Sequence, residues 1–432
     1  MVRSKAIVVG LDYYLAKVSH FALTRSRKFV VFMLNPLSTE PMSLHLIATK
    51  TIAIVGGGPA GLTAARLLQQ AGTTVTVYER DAHAEARLLG GSLDIHRGAG
   101  QRALARAGLL ETFFAVARPA GNRMADKLGN VLFEMLPTGD DATAQPEIDR
   151  PELRTLLLDS LASGTVVWDR QVQAVTKRGE QFELTFQTGT TALADLVIVA
   201  DGAMSKARQF ITAQAAEYTG TYVIQGEVYE PARDCPAMHA LANGGNLGAI
   251  EDKRGLFLHT KNNGHLSYYA MLAAPAGWLT GSAPDFRNLP ATTAYLHELF
   301  AGWASPYHEL LAVTNEYQGL PLRAVLLREP WPVRGNITAI GDAAHAMPPF
   351  GGQGANLGLV DALTLVECLT NAQCPDLPAA IAAYEQAMFA YAQPIQQEAL
   401  AADERIRHAG SAAERVARVA KIMESRQQAS NQ

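Results

Sequence analysis

Ala339-Ile340-Gly341-Asp342-Ala343-Ala344-His345-Ala346-Met347-Pro348-Pro349-Phe350-Gly351-Gly352-Gln353-Gly354-Ala355-Asn356 is the stretch on which the fold turns. The apolar run Ile337 to Ile340 ends in Gly-Asp, a Pro-Gly loop follows, and apolar residues at helical spacing begin at about Asn356. In order this reads as a strand, a close-fitting loop and a helix N-terminus. One comparable glycine turn, Gly56-Gly57-Gly58-Pro59-Ala60-Gly61, lies far upstream. Two such elements from opposite ends of the chain imply one long ligand held at both ends.

The upstream turn follows a short apolar strand, Thr51 to Val55, and opens a helix that runs to about Gln70. Gly72 ends that helix, and a second strand, Thr74 to Tyr78, closes on Glu79. The whole is a β-α-β unit of the usual size, about 30 residues. In Gly56-x-Gly58-x-x-Gly61 the first glycine permits the tight turn and the second lets the backbone approach a pyrophosphate. The third allows close helix–strand packing. The pyrophosphate then lies on the unpaired N–H groups and positive end of the helix. Glu79 stands where a carboxylate accepts hydrogen bonds from an adenosine ribose.

Around these anchors the chain is expected to be α/β, a Rossmann-like dinucleotide-binding domain with an inserted antiparallel sheet and C-terminal helices. Residues 92 to 118 read as helix, and Pro151 to Leu161 as a helix capped by Asp149. Val166 to Trp168, Val172 to Thr176, Phe182 to Phe186 and Leu196 to Ala200 read as strands. From about 216 to 325, short alternating strands separated by Asn/Gly turns indicate an antiparallel sheet that forms a substrate-binding domain. The dinucleotide-binding domain then comprises 49–215 and 326–377. Residues 378–432 form alanine-rich helices, interrupted near Pro394 and Gly410. Residues 1–48 are an extension outside the fold, with Met42 as the expected biological start.

Composition narrows the function classes. A net charge of -4 and the absence of a Lys/Arg cluster with interleaved aromatics argue against nucleic acid. Three scattered cysteines fit neither a disulfide framework nor a zinc site, and point to a reducing, cytoplasmic compartment. No apolar run approaches the ~20 residues of a membrane span. The patch Phe29 to Leu34 is shorter than a secretory core and no cleavage site follows it. Neither a Gly-x-Ser-x-Gly elbow nor a His-Glu-x-x-His motif is present to support hydrolysis, and no metal is expected.

The downstream loop decides which dinucleotide is bound, because a nicotinamide-only dehydrogenase has no need of it. Asp342 at a strand end suits ribityl hydroxyls, and Gly351, Gly352 and Gly354 leave room for a flat ring system. The helix beginning near Asn356 aims its positive end at the ring edge where negative charge gathers on reduction. Asp201-Gly202 is a third strand-end acid and glycine turn, equally consistent with structure and with function. Arg154, mid-helix, reads by itself as part of a solvated face. His345 reads as a packed, hydrogen-bonded histidine beside the cofactor loop.

Taken together, the three strand-end elements resemble the group A flavin monooxygenases, the aromatic hydroxylases related to p-hydroxybenzoate hydroxylase. Leu67 to Gln70, Val77 to Asp81, Glu85 to Arg87, Leu93 to His96, Val167 to Arg170 and Gly341 to Gly354 more closely resemble the tetracycline-inactivating enzymes of the Tet(X) type. The resemblance spans about residues 50 to 395. It implies that Glu79, Arg80, Asp94, Arg154 and Asp342 contact FAD, beside Gly56, Gly58, Gly61, Pro349, Gly352, Gly354 and Asn356. Arg87 meets incoming NADPH. The implied reaction is hydride transfer to the flavin and addition of molecular oxygen to give a C4a-hydroperoxide. That species then hydroxylates an electron-rich enol or phenol carbon, with chemistry borne by the flavin rather than by a catalytic side chain.

Gln225 and Phe257 match positions lining the substrate site in that group, whereas its polar contacts, an Arg and a His, fall on Asn246 and Ser267. His259, His265 or Arg254 are nearby replacements. The expectation is a monomeric, NADPH-consuming enzyme acting on a tetracycline-like polyketide. The alternatives are hydroxylation of a smaller phenol and a drug-sequestering flavoprotein with little turnover.

Overall fold

The computed structural model describes residues 43–86 and 90–409. The expectations for residues 1–42, including Met42 as a start, for Arg87, and for helix beyond residue 409 lie outside the described residues. Residues 43–48, expected to lie outside the fold, belong to it: Leu46 and Ile47 are buried in the core and Ser43 N–H donates to Thr370 O at 2.9 Å.

Five strands form a wholly parallel sheet in the spatial order Ile337–Ala339, Leu196–Val199, Ile52–Val55, Val75–Tyr78, Val166–Val167. Ile52–Val55 and Leu196–Val199 are apolar at every position and buried throughout, as central parallel strands must be when both sheet faces are covered. The helices Pro59–Gln70, Gln353–Leu369 and Leu377–Arg407 contribute to the same core. All five strands run the same way, so Gly56, Glu79, Ala200-Asp201 and Gly341-Asp342 emerge together at their C-terminal ends. That edge is where open α/β sheets bind ligands.

The second sheet has seven strands, in the order Glu316–Ala324, Glu217–Val228, Leu266–Ala273, Arg254–Thr260, Asn246–Glu251, Asn122–Ala125, Val131–Met135. It is antiparallel except where Asn246–Glu251 runs parallel to Asn122–Ala125. One face, carrying Ile224, Leu247, Leu256, Leu258, Tyr268 and Ala270, packs into a separate core with Trp303, Tyr307 and Leu310. Cross-strand register puts two rows on the other face. The first is Gln225, Tyr269, Phe257, Gly248 and Met124; the second is Glu227, Ser267, His259, Asn246 and Asn122.

Four local expectations are corrected. Residues 92–118 are not one helix: Ser92–Asp94 is a strand paired with Glu147–Asp149, and two short helices follow, Gly100–Arg106 and Leu110–Val116. Asp149 stands at the N-cap of Arg150–Asp159 but makes no capping bond. Its carboxylate instead accepts from Ser92 Oγ at 2.7 Å, Arg118 at 3.2 Å and the Asn262 N–H at 3.1 Å. The helix after the glycine loop starts at Gln353 rather than at Asn356. Leu377–Arg407 runs through Pro394 without interruption. Glutamines on either side tie the helix at that point to the preceding chain: Gln393 donates to Leu327 O, while Gln396 accepts from Leu327 N–H and donates to Val325 O.

Candidate active site

The two glycine turns meet. The Ala60 methyl, in the first turn, lies against Gly341 and Gly358, where an added Cβ on either would come within 3.1 Å of it. Within the first turn the three glycines divide their work. Gly56 has φ +109° and no room for a Cβ against the Ala200 carbonyl, and a Cβ on Gly61 would strike the Gly56 carbonyl. A Cβ on Gly58 meets nothing within 4 Å, so its outer side is open. That is the position expected to admit a pyrophosphate.

Glu79 is buried, and its carboxylate accepts from Gly57 N–H at 2.5 Å and Asp81 N–H at 3.0 Å. The acid thus stiffens the turn while standing at the end of the adjacent strand. Arg80 is exposed. Arg154 is buried rather than solvated, which overturns its sequence reading as part of a solvated face. Its guanidinium bonds Asp81 at 2.9 Å and the Ala84 carbonyl at 3.2 Å, and lies over the Trp168 ring at 5.4 Å. It braces the segment after Glu79.

At the other end Asp342 is exposed beside buried Ala343, Ala344 and His345. Gly354 faces its carboxylate, and Pro349 is exposed on the same loop. Gly351 and Gly352 have φ +89° and +68°, which favours glycine, and a Cβ on Gly352 would collide with the Asp94 carboxylate. Asn356 is fully buried. Its oxygen accepts from His96 N–H at 2.8 Å and Gly100 N–H at 3.2 Å, and its amide donates to Asp94 O and Gly352 O. The residue is therefore a strut holding the Asp94 segment to the glycine loop. Helices Pro59–Gln70 and Gln353–Leu369 both start at a glycine and lack a side-chain cap. Both leave N-terminal N–H groups without a capping side chain to serve an anionic or electron-rich ligand.

Two buried hubs were not legible in the sequence. Asp361 accepts from Gly341 N–H at 2.7 Å, His345 Nε2 at 2.6 Å and Tyr391 OH at 2.5 Å, locking the Gly341-Asp342 turn to the long C-terminal helix. His345 is accordingly packed and bonded, as its sequence reading held. Burial pushes the His345 imidazole down, but the charge and hydrogen bond of Asp361 outweigh it and hold it above its ordinary value. Arg208, also buried, donates to Ala203 O at 2.9 Å and Ala343 O at 3.1 Å, joining the Asp201-Gly202 turn to the Asp342 turn. Burial raises the Asp201 carboxyl above its usual range.

The four residues expected to line a substrate site share one sheet face, the one turned to the glycine loop. Phe257 and Phe350 lie with ring centroids 6.3 Å apart, and a Cβ on Gly91 would strike the Tyr269 hydroxyl. Gln225 donates to Glu227 at 3.1 Å and lies 3.5 Å from Ser267 Oγ; Lys261 pairs with Glu227 at 2.8 Å. Asn246 donates to Glu147 and accepts from His259 at 3.0 Å. Of the three expected replacements for the missing Arg and His, only His259 is on these rows. Arg118 closes this face, bonding Ser92, Asp149, Asn262 and the Thr260 carbonyl.

Among the described residues no group of His, Cys, Asp or Glu side chains is placed to hold a metal, and no helix is long and apolar enough to cross a membrane.

This arrangement brings the two glycine turns together beside a half-polar sheet face. Residues 49–398 match the FAD binding domain family, and the chain belongs to the FAD-binding monooxygenases of the group A aromatic hydroxylase family. A monooxygenase of Penicillium thymicola, penA, is 32% identical over 372 residues, covering 74% of this chain and 84% of its own. The structure of Klebsiella pneumoniae HpxO complexed with FAD and uric acid superposes with a TM-score of 0.69 at 21% identity, over 86% of this chain and 97% of that one. The tetracycline destructase Tet(51) superposes at 0.64 with 21% identity, over 87% and 96%. The expected α/β fold is thus met, and FAD-dependent aromatic hydroxylation is supported.

Proposed function

We propose that this protein is an NADPH-consuming, FAD-dependent monooxygenase that hydroxylates an electron-rich ring, with a tetracycline-like polyketide as the first substrate to test. The observation that carries the reading is the contact of Ala60 with Gly341 and Gly358, which makes one continuous cradle from two distant glycine turns. When bound, FAD supplies hydride acceptance and oxygen activation. The chain's own residues do the rest. Backbone N–H groups at Gly56 to Gly61 hold the pyrophosphate, Glu79 takes the ribose, and Asp342 takes the ribityl hydroxyls. Arg154 and Asn356 hold the flanking segments in place. Phe257, Phe350 and Tyr269 keep water from the reacting ring, and the row from Asn246 to Glu227 orients its polar substituents. Arg87 is the residue we assign to NADPH, which has no strand-turn-helix of its own among the described residues.

Likeness of fold to Tet(51) and the motifs from Leu67 to Arg170 support the polyketide. A smaller phenol is favoured by one feature: the amide of Asn246 is committed to Glu147, Asn122 and His259, leaving no cation at that position. The test is a screen of tetracyclines and simple phenols by NADPH oxidation with mass detection. A product heavier by one oxygen atom supports the reading. Ligand binding without NADPH or oxygen consumption refutes it and leaves a sequestering protein.

A further inference from the structure

The second polar row contains a chain of hydrogen bonds whose donors and acceptors are fixed by chemistry alone. Glu147 is fully buried, on the strand paired with Ser92–Asp94, directly opposite Asp94. A carboxylate only accepts, so the Asn246 group facing it is the NH2. The Asn246 oxygen is thereby turned to His259 Nδ1, 3.0 Å away, and an amide oxygen only accepts. Nδ1 of His259 therefore carries the proton. In the neutral ring Nε2 is then the lone-pair nitrogen, and it has no protein partner among the described residues. The ring stands edge-on to Tyr269 at 5.8 Å, on the face that carries Phe257 and Ser267, with its side chain about a quarter exposed (24%).

We infer that His259 is a proton acceptor for a ring hydroxyl of the substrate, held ready by Glu147 and Asn246 as positioning residues. The inference rests on the hydroxylase reading and specifies its substrate class: a phenol or enol whose hydroxyl donates to Nε2. The proton leaves the hydroxyl oxygen for Nε2, the O–H bond pair stays on oxygen, and the resulting phenolate or enolate is the better carbon nucleophile. The imidazolium so formed has a counter-ion in place. Glu147 Oε2 is buried without a hydrogen-bond partner, 3.9 Å from His259 Nδ1. Burial pushes Glu147 up, yet facing His259 and Asn246 outweigh it and hold the carboxyl below its usual value, as an anion. The other ionisable groups around this row are Arg118, 3.9 Å from Glu147, Asp94 across the strand pair, the Lys261–Glu227 pair, and Tyr269. Asn246, where the resembled enzymes carry a cation, here sets a tautomer.

Two measurements on the full-length, FAD-loaded protein test this. Nitrogen-15 spectra of histidine-labelled protein, with His259 assigned by its loss in His259→Gln, are expected to show the Nδ1–H tautomer. Mixed tautomers are expected in Glu147→Gln and Asn246→Ala. An Nε2–H tautomer in the wild type overturns the inference. In the second, 4-nitrophenol is added below its own ionisation range and its colour is read. The wild type is expected to hold it as the yellow phenolate and His259→Gln as the phenol, with kcat/KM for ring hydroxylation about 10²-fold lower in the variant. A probe that binds both proteins in one protonation state, or binds neither, overturns it. If tautomer and probe behave as expected while no ring compound stimulates NADPH oxidation, the hydroxylase reading fails and the proton acceptor stands.

Discussion

Gly58→Ala and Gly61→Ala separate ligand binding from folding within one turn. Gly58 is the N-cap of its helix with φ −83°, a conformation alanine adopts, and the space a methyl would enter is empty to 4 Å. Losing glycine at an N-cap costs about 0.5–1 kcal/mol, and the reduced freedom of the unfolded chain returns a similar amount, about 0.4–1 kcal/mol. The apoprotein of Gly58→Ala is thus expected to melt within a few degrees of wild type. The same methyl stands where the backbone is to receive a pyrophosphate. Displacing one or two charge-assisted hydrogen bonds, each worth about 1.5–3 kcal/mol, weakens FAD by about 10- to 100-fold or more. Gly61→Ala behaves differently. Its methyl strikes the Gly56 carbonyl and comes to 3.2 Å of both Ala200 Cβ and Ile54 Cγ2, so it pushes helix from strand and costs about 1–3 kcal/mol before any ligand is added. Apoprotein melting and quenching of flavin fluorescence on titration give the two quantities. Wild-type FAD affinity in Gly58→Ala, or an apoprotein as destabilised as that of Gly61→Ala, would refute the reasoning.

Three further outcomes are expected. Asp342→Ala, at an exposed carboxylate, keeps the fold by circular dichroism and loses FAD on gel filtration; a fully flavinated, active variant contradicts the assignment. Arg118→Met removes the cation facing Asp149 and Glu147 and destabilises the protein by about 3–5 kcal/mol in urea unfolding, because it strands buried carboxylates. His345 has a folded pKa above its unfolded value near 6.5. Its stabilising contribution is therefore complete below about pH 6.5 and is lost as pH rises through the folded value. The stability difference between wild type and His345→Gln should shrink on that rise, and a difference that grows instead would reverse the sign.

What was legible in the sequence was whatever depends on local pattern. Buried parallel strands are continuous apolar runs, and the turns at their ends need glycine, so Ile52–Val55 with Gly56, and Ile337–Ala339 with Gly341, announced themselves. Ser92–Asp94 did not, because a three-residue strand has no period of its own and its partner, Glu147–Asp149, is distant in sequence. Its flanking leucines and alanines then read as helix. Pro394 read as a break because the glutamine bonds that tether the helix there come from residues 325–327. Arg154, Arg118 and Asp361 share one difficulty: a buried or half-buried charge looks like a surface charge until its partners are known. For the substrate face, alternation fixed the strands but not the pairing. Register alone brought Gln225, Asn246, Phe257 and Ser267 to one side, and brought Glu147 to them from outside the region where a substrate site was expected.

The central claim, that the meeting of the two glycine turns serves oxygen transfer to a ring, is tested most directly with isotopically heavy oxygen gas. The FAD-loaded protein, NADPH and a ring substrate from the screen are allowed to react under the labelled gas. The account predicts one labelled oxygen in the product for each NADPH consumed in coupled turnover. Product oxygen drawn from water, or NADPH consumption with no oxygenated product from any ring compound, would contradict it.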